Sequence, residues 1–385
     1  MSHPPTVLSP TPSLTDEGVL AATLECLLAH ISIDMQGCCS LQTLFEVLLR
    51  AASRVDSIEH TTRQIEGVPC GNGIRYHLDK LDDMDSLEFQ VNEALHHRLS
   101  SKVLNHRHRL AIDWNLLPYY GHPTPIEAPY IYRSQAKAGT TSFFAYASIY
   151  VICRHHRVTL AIHPVRQDET LVAVITRLLA RLTPLKVKVQ CLYLDRGFYS
   201  VAVIRWLKAL NIPFIMPAVI RGKQGGTRQF CRGRTSYFTP HTLRSGPCSS
   251  VDCQLAVVCR YRKGKRGQHG IDYLLYVVYQ VKVALHDIPR HYRDRFGIET
   301  SYRIKNQCRI RTTTKNPVLR LLFVALAFIL VNLWVYWLWV IVSRSRRGGR
   351  ILYPELFPLK TLLEFLSQAV ERHFPPIKAI YLPVL

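Results

Sequence analysis

The spacing of hydrophobic and polar positions changes along the chain, and the changes divide it into regions. Between residues 16 and 99, apolar residues recur at helical intervals. Segments near 16–32 and 40–54 predict two helices, and "LDDMDSLEFQVNEALHHRL" predicts a third that runs to about residue 99. Residues 57–81 between them read as a short helix, a turn at Pro69–Gly73 and a second helix carrying Arg75, His77 and Lys80. That length and punctuation fit a helix-turn-helix and a plain helical hairpin equally. Residues 1–14, rich in Ser, Thr and Pro, are expected to be loose.

At "HRLAIDWNLLPYYG" (108–121) the pattern becomes strand-like, with Asp113 placed near the strand's end and Pro118 and Gly121 marking a turn. Strands are predicted at 142–153, 158–165, 187–195 and 212–218, with helices at 168–182 and 200–210. Strands alternating with helices over short links predict an α/β core with a mixed sheet. Residues 219–285 break the alternation: apolar strands sit between basic, Gly-rich loops and predict a β-rich insertion. Helical spacing returns at 290–308, 317–343 and 358–371. The organisation read from the pattern is a helical domain (1–105), the first part of a catalytic core (106–218), the insertion (219–285), a helical remainder of the core (286–345) and a C-terminal helix and tail (346–385).

Charge sharpens these divisions. Lys and Arg number 49 against 27 Asp and Glu, for a net +22. Residues 1–105 hold 14 acids and 7 bases, so the remaining chain carries the whole excess. Between Arg221 and Arg266 there are 11 basic residues and one acid, Asp252. A concentrated surplus of this kind favours a polyanionic partner, nucleic acid before an acidic membrane surface. The 11 cysteines form no C-x2-C pair, which speaks against structural zinc, and their odd number fits a reducing, cytoplasmic setting.

"LLFVALAFILVNLWVYWLWVIV" (321–342) has no charge over 22 residues and is followed by "SRSRRGGR". Its length and basic flank permit a membrane span. A helix apolar on all sides is equally a buried core element, and the absence of a second such segment favours that reading and no membrane.

Candidate chemistry lies in the acids of the basic part. Asp113 and Asp195 fall at the ends of two predicted strands, where adjacent strands bring side chains together. Hard divalent ions take oxygen ligands, and two carboxylates make a poor site, so a third acid is expected. In "HYRDRFGIETSYRIKNQCRIR", Tyr292, Arg295, Glu299 and Arg303 share one helical face. Glu299 supplies the third carboxylate in this reading, the arginines grip phosphate, and Asp294 is a local ion-pair partner. Ordinary end-of-strand acids and a helix-surface ion pair remain the alternative for each residue singly. Tyr119 and Tyr120 are candidates for stacking on a displaced base or for the core.

These blocks, "AIDWNLLPYYG", "YLDRGFYS" and "YRDRFGIETSYRIKNQCRIR" with the apolar helix behind it, resemble the DDE transposases of bacterial and archaeal insertion sequences. Within them the chain resembles the class with a Tyr–Arg–Glu–Lys signature, and the branch first described from halophilic archaea. The resemblance implies a ribonuclease H-like core with Asp113, Asp195 and Glu299 as the catalytic, metal-holding triad. It implies Mg²⁺ as cofactor (two ions, Mn²⁺ a substitute), transposon-end and target DNA as partners, and a homodimer in the synaptic complex. Tyr292 and Arg295 match the signature; its Lys falls on Asn306, with Lys305 one residue early, leaving Lys305 or Arg303 for that role. DNA-backbone contacts are expected from Arg196 and from Arg260, Arg262, Lys263, Lys265 and Arg266 of the insertion, and sequence choice from Arg75 and Lys80. A nuclease of the same core that cuts without joining, and an inactive DNA-binding relative, are the alternatives.

Overall fold

The computed structural model describes residues 13–152, 157–223, 225–264, 270–296, 306–347 and 349–379. Its contacts divide the chain into two units, Met1–Arg98 with Ile304–Leu385, and Leu99–Arg303.

The first unit is helical. Helices α1 (Asp16–His30), α2 (Leu41–Arg54), α3 (Ile58–Thr62), α4 (Gly71–Leu78) and α5 (Met84–His96) follow the predicted spacing closely. Side-chain caps fix several starts: Thr15, Ser40, Ser57 and Asp83 each accept an amide hydrogen bond from the first turn. The long helix α9 (Pro317–Val340) begins at Asn316, whose side chain accepts from the amides of Val318 and Leu319, with Pro317 at the first helical position. Being apolar all round, α9 must be covered all round, and 89% of its most apolar window is buried. Asn332, the polar interruption, is satisfied by donating to the Leu95 carbonyl at 3.2 Å. By length and composition this one helix passes as a membrane span; its packing on α5 and on α10 (Leu359–His373) gives it the role of a core helix.

The second unit is built on one mixed sheet. Its strands are β1 (Arg107–Pro118), β2 (Ile131–Lys137), β3 (Thr140–Val151), β4 (Thr159–Pro164), β5 (Lys188–Tyr193), β6 (Phe214–Pro217), β7 (Tyr237–Arg244), β8 (Ser250–Arg262) and β9 (Gly270–Tyr279). They lie in the order β2-β3-β1-β5-β6-β9-β8-β7, with β4 also on β3. The β1–β5 and β5–β6 pairs are parallel and the rest antiparallel. Helices α6 (Leu171–Ala180) and α7 (Val201–Ala209) make the crossovers that the parallel pairs require. This is the mixed-sheet α/β core that the alternation predicts, ribonuclease H-like as the family resemblance implies, preceded by a helical region. The β-rich segment after residue 219 is not a separate sheet: β9 pairs with β6, so its strands widen the core sheet.

Of the helix predicted over 290–308, residues 297–305 lie outside the described residues, and the rest is not one α-helix. Helix α8 (Ile288–Arg293) is short, and a 3-10 turn follows at Asp294–Phe296. Asp294 does form an ion pair, but not a local one: its partner is Arg109 of β1, at 2.9 Å.

Candidate active site

The register of β1 against β5 sets the site. These strands run parallel with Ala111 opposite Tyr193, so Asp113 and Asp195, each two residues further on, come to the same level. Asp113 is not at the end of its own strand: β1 continues to Pro118. Its antiparallel partner β3 goes on pairing with it after β5 has turned away, up to Pro118 opposite Phe143. What ends beside Asp113 is the neighbouring strand β5, at Tyr193. After β5, Asp195 caps a 3-10 turn (Arg196–Phe198), its Oδ1 accepting from the Arg196 amide at 2.6 Å. Asp113 Oδ1 accepts from the Trp114 amide at 2.9 Å. Trp114 is stacked between Tyr132 of β2 and Phe198, ring centroids 5.3 and 5.6 Å away, and so ties the turn after Asp195 to the strand bearing Asp113.

Between the two acids sits a guanidinium. Arg295 Nη2 lies 3.0 Å from Asp113 Oδ1 and 3.7 Å from Asp195 Oδ1, so the two oxygens are separated by no more than the sum of those distances, 6.7 Å. Arg295 is only 5% exposed. Tyr150 of β3 donates its hydroxyl to the Arg295 carbonyl at 2.6 Å. Arg295 Nη1 donates to the Tyr292 hydroxyl at 3.2 Å, and that hydroxyl donates to the Leu194 carbonyl at 3.1 Å, immediately before Asp195. Burial would ease the proton off Arg295, but Asp113 above all, with Tyr292 and Asp195, holds its proton more tightly than usual. Burial drives the Tyr292 hydroxyl well above the ordinary tyrosine range, so it stays protonated at neutral pH. Tyr292 and Arg295 are thus in contact, but Arg295 lies in the 3-10 turn and is turned inward onto Asp113, not outward as a phosphate-gripping helical face.

Glu299, Arg303, Lys305, Lys265 and Arg266 lie outside the described residues. Among the described residues, no group of three or more His, Cys, Asp or Glu side chains is placed to hold a metal ion. Asp113 and Asp195 nonetheless suit a hard cation: their oxygens converge on one cationic nitrogen, and carboxylate oxygen is the donor such ions prefer.

The other candidates are spread more widely. Arg196 is exposed beside Asp195. Arg260, Arg262 and Lys263 are exposed at the far end of β8, with Arg262 3.8 Å from Asp272 on β9. In the helical unit Arg75 is engaged by Glu59 at 2.9 Å and Lys80 by Asp34 at 3.3 Å, so both are partly neutralised. Tyr119 belongs to the core at 3% exposure; its hydroxyl donates to Glu127 at 2.6 Å and, mainly through burial, is pushed up to about 12. Tyr120 is 61% exposed. Sequence reasoning missed Tyr150 and Trp114, which hold the site in place. Both sit in apolar strand runs whose pattern shows burial but not the partner across the sheet.

A family model described as the transposase DDE domain matches residues 105–333. No curated protein matches. Among solved structures, the cryo-EM structure of the piggyBac transposase synaptic complex with hairpin DNA is similar, with TM-score 0.53 and 12% identity over 92% of this chain and 78% of that one. At that identity the likeness is one of fold. The family match spans more than half of the sequence and takes in β1, β5 and α8: the chain belongs to the transposase DDE domain family.

Proposed function

We propose that this protein is a DNA transposase of the insertion-sequence type, cleaving the ends of its element and joining the freed 3′-hydroxyls to target DNA. The observation that carries the reading is the pairing of Asp113 and Asp195 across β1 and β5 around a single cation, Arg295. The Tyr–Arg–Glu–Lys class and its halophile-derived branch are the finer assignment, supported by Tyr292 and Arg295 lying in hydrogen-bond contact.

Asp113, Asp195 and Glu299 would hold Mg²⁺, with Mn²⁺ able to replace it. When bound, such ions stabilise charge on the transferring phosphate and on the attacking and leaving oxygens. The chain's own residues set the stage. Trp114 and Phe198 lock the two acids at one level. Arg295 offsets their mutual repulsion, and Tyr292 and Tyr150 hold Arg295 in place. Tyr292 is a buttress and not a nucleophile, since its buried hydroxyl is committed to the Leu194 carbonyl. Arg196, Arg260, Arg262 and Lys263, with Lys265, Arg266, Arg303 and Lys305, supply phosphate contacts that fix the DNA without choosing sequence. A dimer in the synaptic complex follows from the need to bring two DNA ends together, and the setting is the prokaryotic cytoplasm.

The test is metal-dependent cleavage and strand transfer on DNA carrying the element's ends. Asp113→Ala, Asp195→Ala and Glu299→Ala should each abolish both steps and leave DNA binding intact. Full activity in any of the three defeats the assignment. Nicking without joining by the unaltered chain would favour the nuclease alternative.

A further inference from the structure

The run "SRSRRGGR" lies directly behind the apolar helix α9, where sequence alone reads it as the basic flank of a membrane span. With α9 buried, that explanation is removed, and four arginines within seven residues need another. They sit on a two-stranded ribbon, β10 (Ser343–Arg346) and β11 (Gly349–Leu352), Arg347 lying just beyond β10, with Arg344 opposite Ile351 and Arg346 opposite Gly349.

One of the four has a structural duty. Arg350 Nη1 donates to the Trp339 carbonyl and to Ser343 Oγ, both at 2.8 Å, so it satisfies the frayed end of α9, where a cation also complements the helix dipole. Arg344 lies 6.0 Å over the Tyr353 ring, a weak contact, and is an exposed residue. Arg346 and Arg347 are exposed. Among the described residues none of Arg344, Arg346 and Arg347 meets a carboxylate. Six arginines of the same unit are matched to carboxylates: Arg50 and Arg54 with Glu371, Arg63 and Arg75 with Glu59, Arg98 with Glu25, and Arg372 with Asp16 and Glu17. Arg344, Arg346 and Arg347 instead face solvent together on one short ribbon, and Arg309 and Arg311 of the same unit are exposed as well.

We propose that the β10–β11 ribbon is a nucleic-acid contact of the helical unit, with Arg344, Arg346 and Arg347 binding the phosphodiester backbone of duplex DNA. It rests on the reading of the substrate as DNA. Alternate residues of a strand share a face about 7 Å apart, so Arg344 and Arg346 span roughly two phosphate rises of about 3.4 Å along one DNA strand. The contact carries affinity and not sequence choice, because planar guanidinium forks match phosphate of any sequence.

The test uses the full-length protein and a 30-base-pair duplex of arbitrary sequence, with binding followed across salt concentration. Each phosphate contact contributes about 0.9 to the slope of log affinity against log salt. The triple variant Arg344→Gln, Arg346→Gln, Arg347→Gln is expected to lower that slope by about 2 to 3 and to weaken binding more than about tenfold at low salt. Its unfolding midpoint should match the parent, whereas Arg350→Gln should lower the midpoint. An unchanged slope in a folded triple variant overturns the proposal. So does loss of binding to vesicles rich in anionic lipid with DNA binding unaltered, which would assign the ribbon to a membrane surface. If the parent chain itself fails to bind the duplex, the transposase reading falls with it; if the parent binds and the triple variant binds equally, only the ribbon proposal falls.

Discussion

At the scale of single residues, Arg295 decides how the site behaves without metal. Two carboxylates whose oxygens lie within 6.7 Å repel each other, and the buried guanidinium is the countercharge that lets them approach. Removing it leaves Asp113, which is 14% exposed at its side chain, facing a like charge. Breaking a fully buried pair costs about 3–5 kcal/mol. Asp195 is 44% exposed, and solvent screens it, so we expect Arg295→Gln to cost about 2 kcal/mol in metal-free buffer. Millimolar Mn²⁺ should restore the variant's unfolding midpoint by mass action, and by more than it raises that of the parent. Thermal unfolding with and without Mn²⁺ checks this; no loss in metal-free buffer, or no recovery, counts against the countercharge role. Tyr292→Phe removes the hydroxyl linking Leu194 to Arg295 and should destabilise by about 1–2 kcal/mol. It should retain cleavage without forming a covalent protein–DNA adduct; complete loss of cleavage in a folded Tyr292→Phe would return the nucleophile reading.

At the scale of elements, the structure separates what periodicity reveals from what it hides. The five N-terminal helices and the strands around Asp113 and Asp195 were legible because apolar spacing and capping residues are written within each segment, even where the face it buries meets an element far along the chain. The placement of Asp113 in mid-strand was not, because only the partner β3 shows how far β1 continues. Nor was the merging of the insertion into the core sheet: an edge-seeking strand such as β9 reads the same whether it pairs with β8 alone or also with β6. The His163–Glu169 pair shows the same limit. His163 of β4 reads as an unassigned histidine in sequence, yet its Nε2 donates to Glu169 at 2.7 Å just before α6, with Arg177 at 3.1 Å from the same carboxylate. Burial alone would raise the Glu169 carboxyl, but the hydrogen bond and charge of His163, with Arg177, hold it below the usual carboxylate range. A depressed native pKa means that this stabilisation is present above the ordinary carboxylate range and is lost as pH falls through the native value. Glu169→Gln should therefore flatten the loss of stability on acidification, and an acid unfolding curve identical to the parent's would contradict the pairing.

At the scale of the whole molecule, the charge pattern and the fold agree on a division of labour. Four of the acids of residues 1–105, Asp16, Glu17, Glu25 and Glu59, are matched to arginines within the helical unit, while the sheet unit keeps exposed bases at Arg196, Arg260 and Lys263. The long apolar helix was ambiguous in sequence because length and composition are identical for a core helix and a membrane span; only its neighbours distinguish them. We expect folded protein without detergent, with the amides of α9 beyond its first turn among the slowest to exchange; rapid exchange there would remove the core-helix reading. The account as a whole stands on Asp113, Asp195 and Glu299 meeting around a divalent ion. An anomalous difference map from crystals grown with Mn²⁺ tests it most directly: a peak held by all three carboxylates is predicted, and a map with no Mn²⁺ on Asp113 and Asp195 would contradict it.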